Sequence, residues 1–205
     1  MAYSNFTISS FQQEFQITIE EQRDLFANIQ PVSPSDLLSM ILDEYLSLAI
    51  NINSEKARSE FIIAPVLGDV RRQSHHQISL FSGKEFDVDP AKGLSGYCDF
   101  ILCLSQEQLY IKAPVMIVIE AKNENIIGGL GQCMAAMLAS QIFNQRSGES
   151  IETIYGAVTT GTNWRFLKLC HQIVHLDKTE YYIRDIDRIL GILVEPARAL
   201  LSPSI

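Results

Sequence analysis

The five residues Val115-Met116-Ile117-Val118-Ile119 constrain this chain more than any other stretch. A strand with one wet face alternates apolar and polar side chains, whereas an unbroken apolar run of this length belongs to a strand covered on both faces. The chain must then supply apolar helices for two sides of a sheet, which is an α/β layer architecture. Such helices are legible. Residues 126–143 form the longest apolar stretch, and Ile186, Leu190, Leu193, Ala197 and Leu200 recur at helical spacing. The stretch 126–143 approaches membrane-span length, but Gln132, Gln141 and its glycines interrupt it and strand-like segments flank it, so a buried helix and no membrane segment is predicted.

Around this centre the order of segments reads helix, strands, helix, strands, helix. The first fifty residues look helical, with Ser33-Pro34-Ser35-Asp36 as a start signal before Leu37, Leu38, Ile41, Leu42, Tyr45 and Leu46. They are predicted to form an N-terminal helical extension, residues 1–52, on a main domain of residues 53–205. Ser54 followed by Ala57, Phe61, Ile62 and Val66 predicts the next helix, which Pro65 should bend or divide. Strand-like segments follow at 78–81, 85–88, 97–104 and 115–122, and again at 153–159, 164–169 and 173–176. Residues 84–96, with an Asp-Pro pair and glycines, are predicted to be a mobile loop.

Composition removes some classes of function. With 205 residues, 47% apolar and 20% charged, the chain has enough material for a core without disulfides. Residues 1–22 lack a basic start and an apolar run, and Cys98, Cys103, Cys133 and Cys170 form no close pair of the kind that zinc ribbons need. A cytoplasmic protein with reduced thiols is the expectation. A net charge of −8 argues against a general nucleic-acid coat, yet a bound cation can still create a local phosphate site.

The chemistry concentrates where the apolar run ends, in Glu120-Ala121-Lys122. Side chains alternate along a strand, so Glu120 and Lys122 point one way and Ala121 the other. The segment 97–104 is also apolar except for Asp99, and an antiparallel return through residues 105–114 would set Asp99 beside Glu120. Two carboxylates brought together at the edge of a core are costly unless a cation compensates them. Mg²⁺ or Mn²⁺, hard ions that take oxygen ligands and retain water, would do so.

An acidic residue on one strand and Glu-x-Lys on the next resembles the core motif of the PD-(D/E)xK nuclease superfamily. Ser59-Glu60-Phe61-Ile62-Ile63-Ala64-Pro65-Val66-Leu67 and Ala157-Val158-Thr159-Thr160-Gly161-Thr162-Asn163-Trp164-Arg165-Phe166 look like segments of the N-terminal nuclease domain of type I restriction subunits. The likeness spans roughly residues 55–169, and Cys98 stands where that motif has its proline. The resemblance implies a restriction-endonuclease-like fold, a mixed central sheet flanked by helices, and a Mg²⁺- or Mn²⁺-dependent nuclease acting on DNA. It implies Asp99, Glu120 and the Ala121 carbonyl as metal ligands and Lys122 as the group that activates water or stabilises phosphoryl charge. Glu60 matches its acidic residue on the preceding helix, with Glu55 as a rival, and Gln132 matches its glutamine on the following one. Because cutting both strands of a duplex takes two sites, a homodimer is an expectation. The alternative is an inactive module of the same fold that binds nucleic acid or a protein partner.

Other features have plainer explanations. Gly128-Gly129-Leu130-Gly131 lacks the spacing of a phosphate loop and is read as flexible entry into the helix or as close packing. His171 and His175 beside Cys170 suggest zinc, but no second pair accompanies them, and His75 with His76 belongs to a turn. Trp164, the one tryptophan, is read as core rather than a base-stacking platform.

Overall fold

The computed structural model describes residues 2–21, 23–149 and 151–201. Seven strands form one mixed sheet in the order β1-β7-β6-β5-β4-β3-β2. They are β1 (Thr18–Glu20), β2 (Ser79–Glu85), β3 (Tyr97–Cys103), β4 (Val115–Ala121), β5 (Thr153–Thr159), β6 (Asn163–Cys170) and β7 (Ile173–Tyr182). The apolar run is β4, and every residue of it is buried. It pairs antiparallel with β3 and parallel with β5. A parallel pair needs a crossover, here the helix α5 (Ile126–Arg146). This is an α/β protein with helices on both faces of the sheet, as the apolar run requires.

Two cores result. On one face α5 packs with Tyr3, Phe6 and Phe11 against Ile101, Val118, Val158 and Leu167. The opposite core joins Val66, Leu67 and Val70 with Leu190, Leu193 and Ala197 over Phe100, Ile117, Ile119 and Phe166. Its helices are α4 (Ala64–Gln73) and α6 (Ile186–Leu201). Although α5 is long and apolar enough to cross a bilayer by composition, most of its apolar window is buried in the fold.

The N-terminal third departs from its sequence-based expectation. It contains helices α1 (Ile8–Phe15) and α2 (Asp36–Ile52), but Thr18–Glu20 is a strand that extends the sheet beside β7, and residues 23–34 are turns and coil. Residues 2–52 contribute to both cores, through Tyr3, Phe6, Phe11 and Ile17 on one face and Phe26, Val32 and Leu38 on the other. They are woven into the same sheet and helices as the rest of the chain.

The helix expected around Pro65 is continuous but altered in pitch. It begins as α3 (Glu55–Arg58), capped by the Ser54 hydroxyl, widens into a π turn over Ser59–Ile63, and continues as α4. The Ala64 N–H bonds to Ser59 O, five residues back. Proline lacks an N–H, and its ring crowds the carbonyl four residues earlier; one wide turn accommodates both. Residues 84–96, expected to be mobile, are held in place. Tyr3 Oη donates to Phe86 O at 2.6 Å, Gly96 N–H to Asp87 Oδ1 at 2.8 Å, and both Phe86 and Leu94 are buried.

Candidate functional site

Along β4, Ile117, Ile119 and Ala121 enter the α6 core while Val118 enters the α5 core. Glu120 and Lys122 continue the Val118 side and lie under the start of α5. The β3–β4 register pairs Phe100 with Ile119, so Asp99 comes opposite Glu120. Its carboxylate is anchored there, with Oδ2 accepting the Ala121 N–H at 2.8 Å. One oxygen of Asp99 is thereby committed to the backbone.

Glu120 is 5% exposed and ion-paired with Lys122. Burial pushes its carboxyl up to about 8, the neighbouring Asp99 charge adds to the rise, and Lys122 opposes it. For Lys122, burial alone would lower the pKa, but Glu120, Glu55 and Asp99 outweigh it and the ammonium is held charged above its ordinary range. Lys122 Nζ also reaches Gln132 Oε1 on α5, at 3.5 Å. Its stem lies against the helix at a glycine: a Cβ on Gly129 would come within 3.1 Å of Lys122 Cε and 2.7 Å of Val158 Cγ1. The helix itself starts at Asn125, whose Oδ1 accepts the Gly128 N–H at 2.9 Å.

The structure therefore brings together Asp99, Glu120, Lys122 and Gln132, with Ala121 as the link between the two strands. It does not bring Glu60 to them. Glu60 lies on the exposed flank of the π turn, paired with Lys56 at 2.7 Å with side chains 53% and 82% exposed, an arrangement worth little in stability. Glu55, one turn earlier, is the acidic residue of this helix whose charge acts on both Glu120 and Lys122. Arg58 and Tyr97 were missed in the sequence. Arg58 is a buried cation at the end of α3, and Tyr97 is an exposed aromatic at the start of β3 that lines a small cavity with Cys98, Glu120 and Gln132. The signal for Arg58 was its place three residues after Glu55 behind the Ser54 cap. Nothing in the sequence marked Tyr97.

A divalent cation fits this chemistry. Burial and the charge of Asp99 make ionised Glu120 costly at the mouth of the strand, and Asn123 Oδ1, one residue beyond Lys122, is buried without a hydrogen-bond partner. Among the described residues no three histidine, cysteine or acidic side chains converge as a complete cage. That donor set suits Mg²⁺, which keeps several waters and completes its shell on a phosphate.

The remaining candidates take structural roles. His171 sits in the β6–β7 turn with a φ of 54°, while His175 Nδ1 lies 3.1 Å from Glu20 Oε2 on the β1 edge. His76 Nδ1 meets Arg71 Nη1 at 2.6 Å. Trp164 is fully buried, stacked on Phe166, and donates to Gly161 O at 2.9 Å. Gly131 marks a crossing, since a Cβ there would lie 2.3 Å from Phe6 O and 2.5 Å from the Thr7 carbonyl carbon. Against known proteins, the chain matches no family model, no curated protein and no solved structure.

Proposed function

We propose that this protein is a divalent-metal-dependent phosphodiesterase, a DNA endonuclease of restriction-endonuclease-like type working in the cytoplasm. The observation that carries the reading is the Asp99–Ala121 hydrogen bond, which fixes one carboxylate beside a second, Glu120, while Lys122 points to the same side. The free cysteines, three of them buried, agree with a reducing compartment.

In this reading Asp99 and Glu120, with the Ala121 carbonyl, would hold Mg²⁺ or Mn²⁺. The bound ion supplies Lewis-acid stabilisation of the phosphoryl oxygens and a more acidic water. Lys122, kept charged by its acidic neighbours, would orient the attacking water or neutralise charge on the phosphate. Gln132 holds the Lys122 ammonium from the helix side. Glu55, whose charge acts on both Glu120 and Lys122, takes the place of the helix acid. The N-terminus of α5 beside Lys122 favours an anionic group there.

Purified protein is expected to cut supercoiled plasmid DNA with Mg²⁺ or Mn²⁺ and not with EDTA. Asp99→Ala and Lys122→Ala should each lower the rate by 10³-fold or more, on the order of 4 kcal/mol of transition-state stabilisation. Cleavage that survives both substitutions sinks the assignment. The incomplete carboxylate cage favours a second reading, an inactive module that binds nucleic acid or protein. Isothermal titration separates the two: the module has no Mn²⁺ site that disappears in Asp99→Ala.

A further inference from the structure

Arg58 is 8% exposed, and among the described residues no carboxylate stands within ion-pairing distance of it. A buried guanidinium without a counter-ion is costly, so its hydrogen bonds should show what keeps it there. Its Nη1 donates to Thr160 O at 3.0 Å and to Thr162 Oγ1 at 3.3 Å, and its Nη2 to Asn53 Oδ1 at 3.3 Å. One rigid fork thus ties the α2–α3 junction to the turn between β5 and β6.

That turn is the continuation of the site's own strands. Thr159, immediately before it, is paired with Ala121 and accepts the Lys122 N–H at 2.8 Å. The turn is stiff: the Thr159 hydroxyl takes the Gly161 N–H at 2.8 Å and donates to Asn163 O at 2.8 Å. Ile62 of the π turn packs on Gly161 with no room for a Cβ to stand at ordinary contact distance. Glu55 lies three residues before Arg58, one helical turn away. Glu55 opens a helix that runs on through the π turn into α4 behind the Ser54 cap, so the Arg58 clamp docks this helix end, and Glu55 with it, against the β5–β6 turn.

We propose that Arg58 is a positioning residue of the metal-phosphodiester site: by clamping α3 to the β5–β6 turn it sets where Glu55 stands relative to Glu120 and Lys122. The inference rests on the phosphodiesterase reading and assigns that site a group which touches neither substrate nor metal. It distinguishes Arg58 from an ordinary structural arginine by the residue through which it acts.

The test is Mn²⁺-dependent cleavage of plasmid DNA by the wild type, Glu55→Gln, Arg58→Met, Arg58→Lys and the Glu55→Gln/Arg58→Met double variant, with amide exchange read at Ala57 and Arg58. Glu55→Gln and Arg58→Met should each lower kcat about 10- to 100-fold with KM for DNA little changed, the size seen for groups that orient metal ligands. The double variant should be no worse than Glu55→Gln, and Arg58→Lys should recover part of the loss. Amide exchange should rise at Ala57 and Arg58 in Arg58→Met while the sheet stays protected. Losses that multiply in the double variant, or Arg58→Met with wild-type kcat or unchanged exchange, overturn the role. A wild type that neither binds Mn²⁺ nor cleaves overturns the phosphodiesterase reading and this role together, and the two failures are thereby told apart.

Discussion

At the scale of single residues, the site depends on small groups as much as on charged ones. The Lys122 stem passes Gly129 so closely that an added methyl must displace the lysine, Val158, or both. Gly129→Ala is therefore expected to lower Mn²⁺-dependent cleavage about tenfold, since an ångström of misplacement is costly to a reacting arrangement. Its melting temperature should fall only a few degrees, so the kcat ratio at a temperature where both proteins are folded is the deciding measurement. Gly131→Ala meets backbone atoms of Phe6 and Thr7 instead, which have no rotamer to retreat to. It should destabilise by about 2 to 3 kcal/mol, read by urea denaturation, with dissociation of the N-terminal segment as the cause. Both glycines stand out in the sequence as a cluster, which leaves flexible helix entry and close packing open; the contacts of the fold decide for close packing. Their partners are not legible there, because contact with Val158, Phe6 and Thr7 depends on how segments distant in sequence pack. Glu55 and Glu60 show the same limit. Both lie on the helix that precedes β2, and only the fold shows that Glu60 is paired with Lys56 on an exposed flank while the charge of Glu55 acts on Glu120 and Lys122.

At the scale of elements, the strands and helices that one face of local chemistry dictates were readable, and those defined by a distant partner were not. β4 announced itself by an apolar run, β5 by its exact limits, and α5 by its length. The short β1 is a strand only because β7 offers it a parallel edge, and three residues of Thr-Ile-Glu carry no periodicity of their own. The join between α5 and β4 is a further case. Asn144, near the end of α5, accepts the Val115 N–H at 2.7 Å and donates to Val115 O at 2.8 Å, so one buried amide satisfies both backbone groups at the start of the strand. Asn144→Ala strands both groups in the core and should cost about 2 to 4 kcal/mol, whereas Asn144→Gln, keeping the amide on a longer stem, should restore part of it. Equal stability of Asn144→Ala and wild type in urea would show that water replaces the amide, and that the α5–β4 join does not depend on it.

For the whole molecule, the buried Glu120 couples the site to global stability through pH. Folding raises its pKa from an ordinary 4.5 to about 8, chiefly by burial and then by the charge of Asp99. The folded protein keeps this proton across that window while the unfolded chain has lost it, so the unfolded state binds fewer protons and stability falls as pH rises from about 4.5 to about 8. Above the folded pKa the effect levels off. Lys122 stays charged throughout, since its own pKa is raised, and so contributes no slope of its own in this range. Asp177, raised mainly by its burial, adds a slope of the same sign, but it stands apart from the site, bonded to Leu25, Thr179 and Tyr181. A comparison of wild type with Glu120→Gln therefore isolates the site. Metal-free wild type should lose stability between pH 5 and pH 8, by at most about 1.4 kcal/mol per pH unit from this one group, and Glu120→Gln should show a shallower slope. Mn²⁺ must reverse the trend in the wild type, because a cation that needs the carboxylate competes with the proton and stabilises more at pH 8 than at pH 6. The same titration in Glu120→Gln should show no such gain. Parallel slopes for the two metal-free proteins would mean that Glu120 is ionised in the folded state at neutral pH, held so by Lys122, and that the strand end stores no demand for a cation.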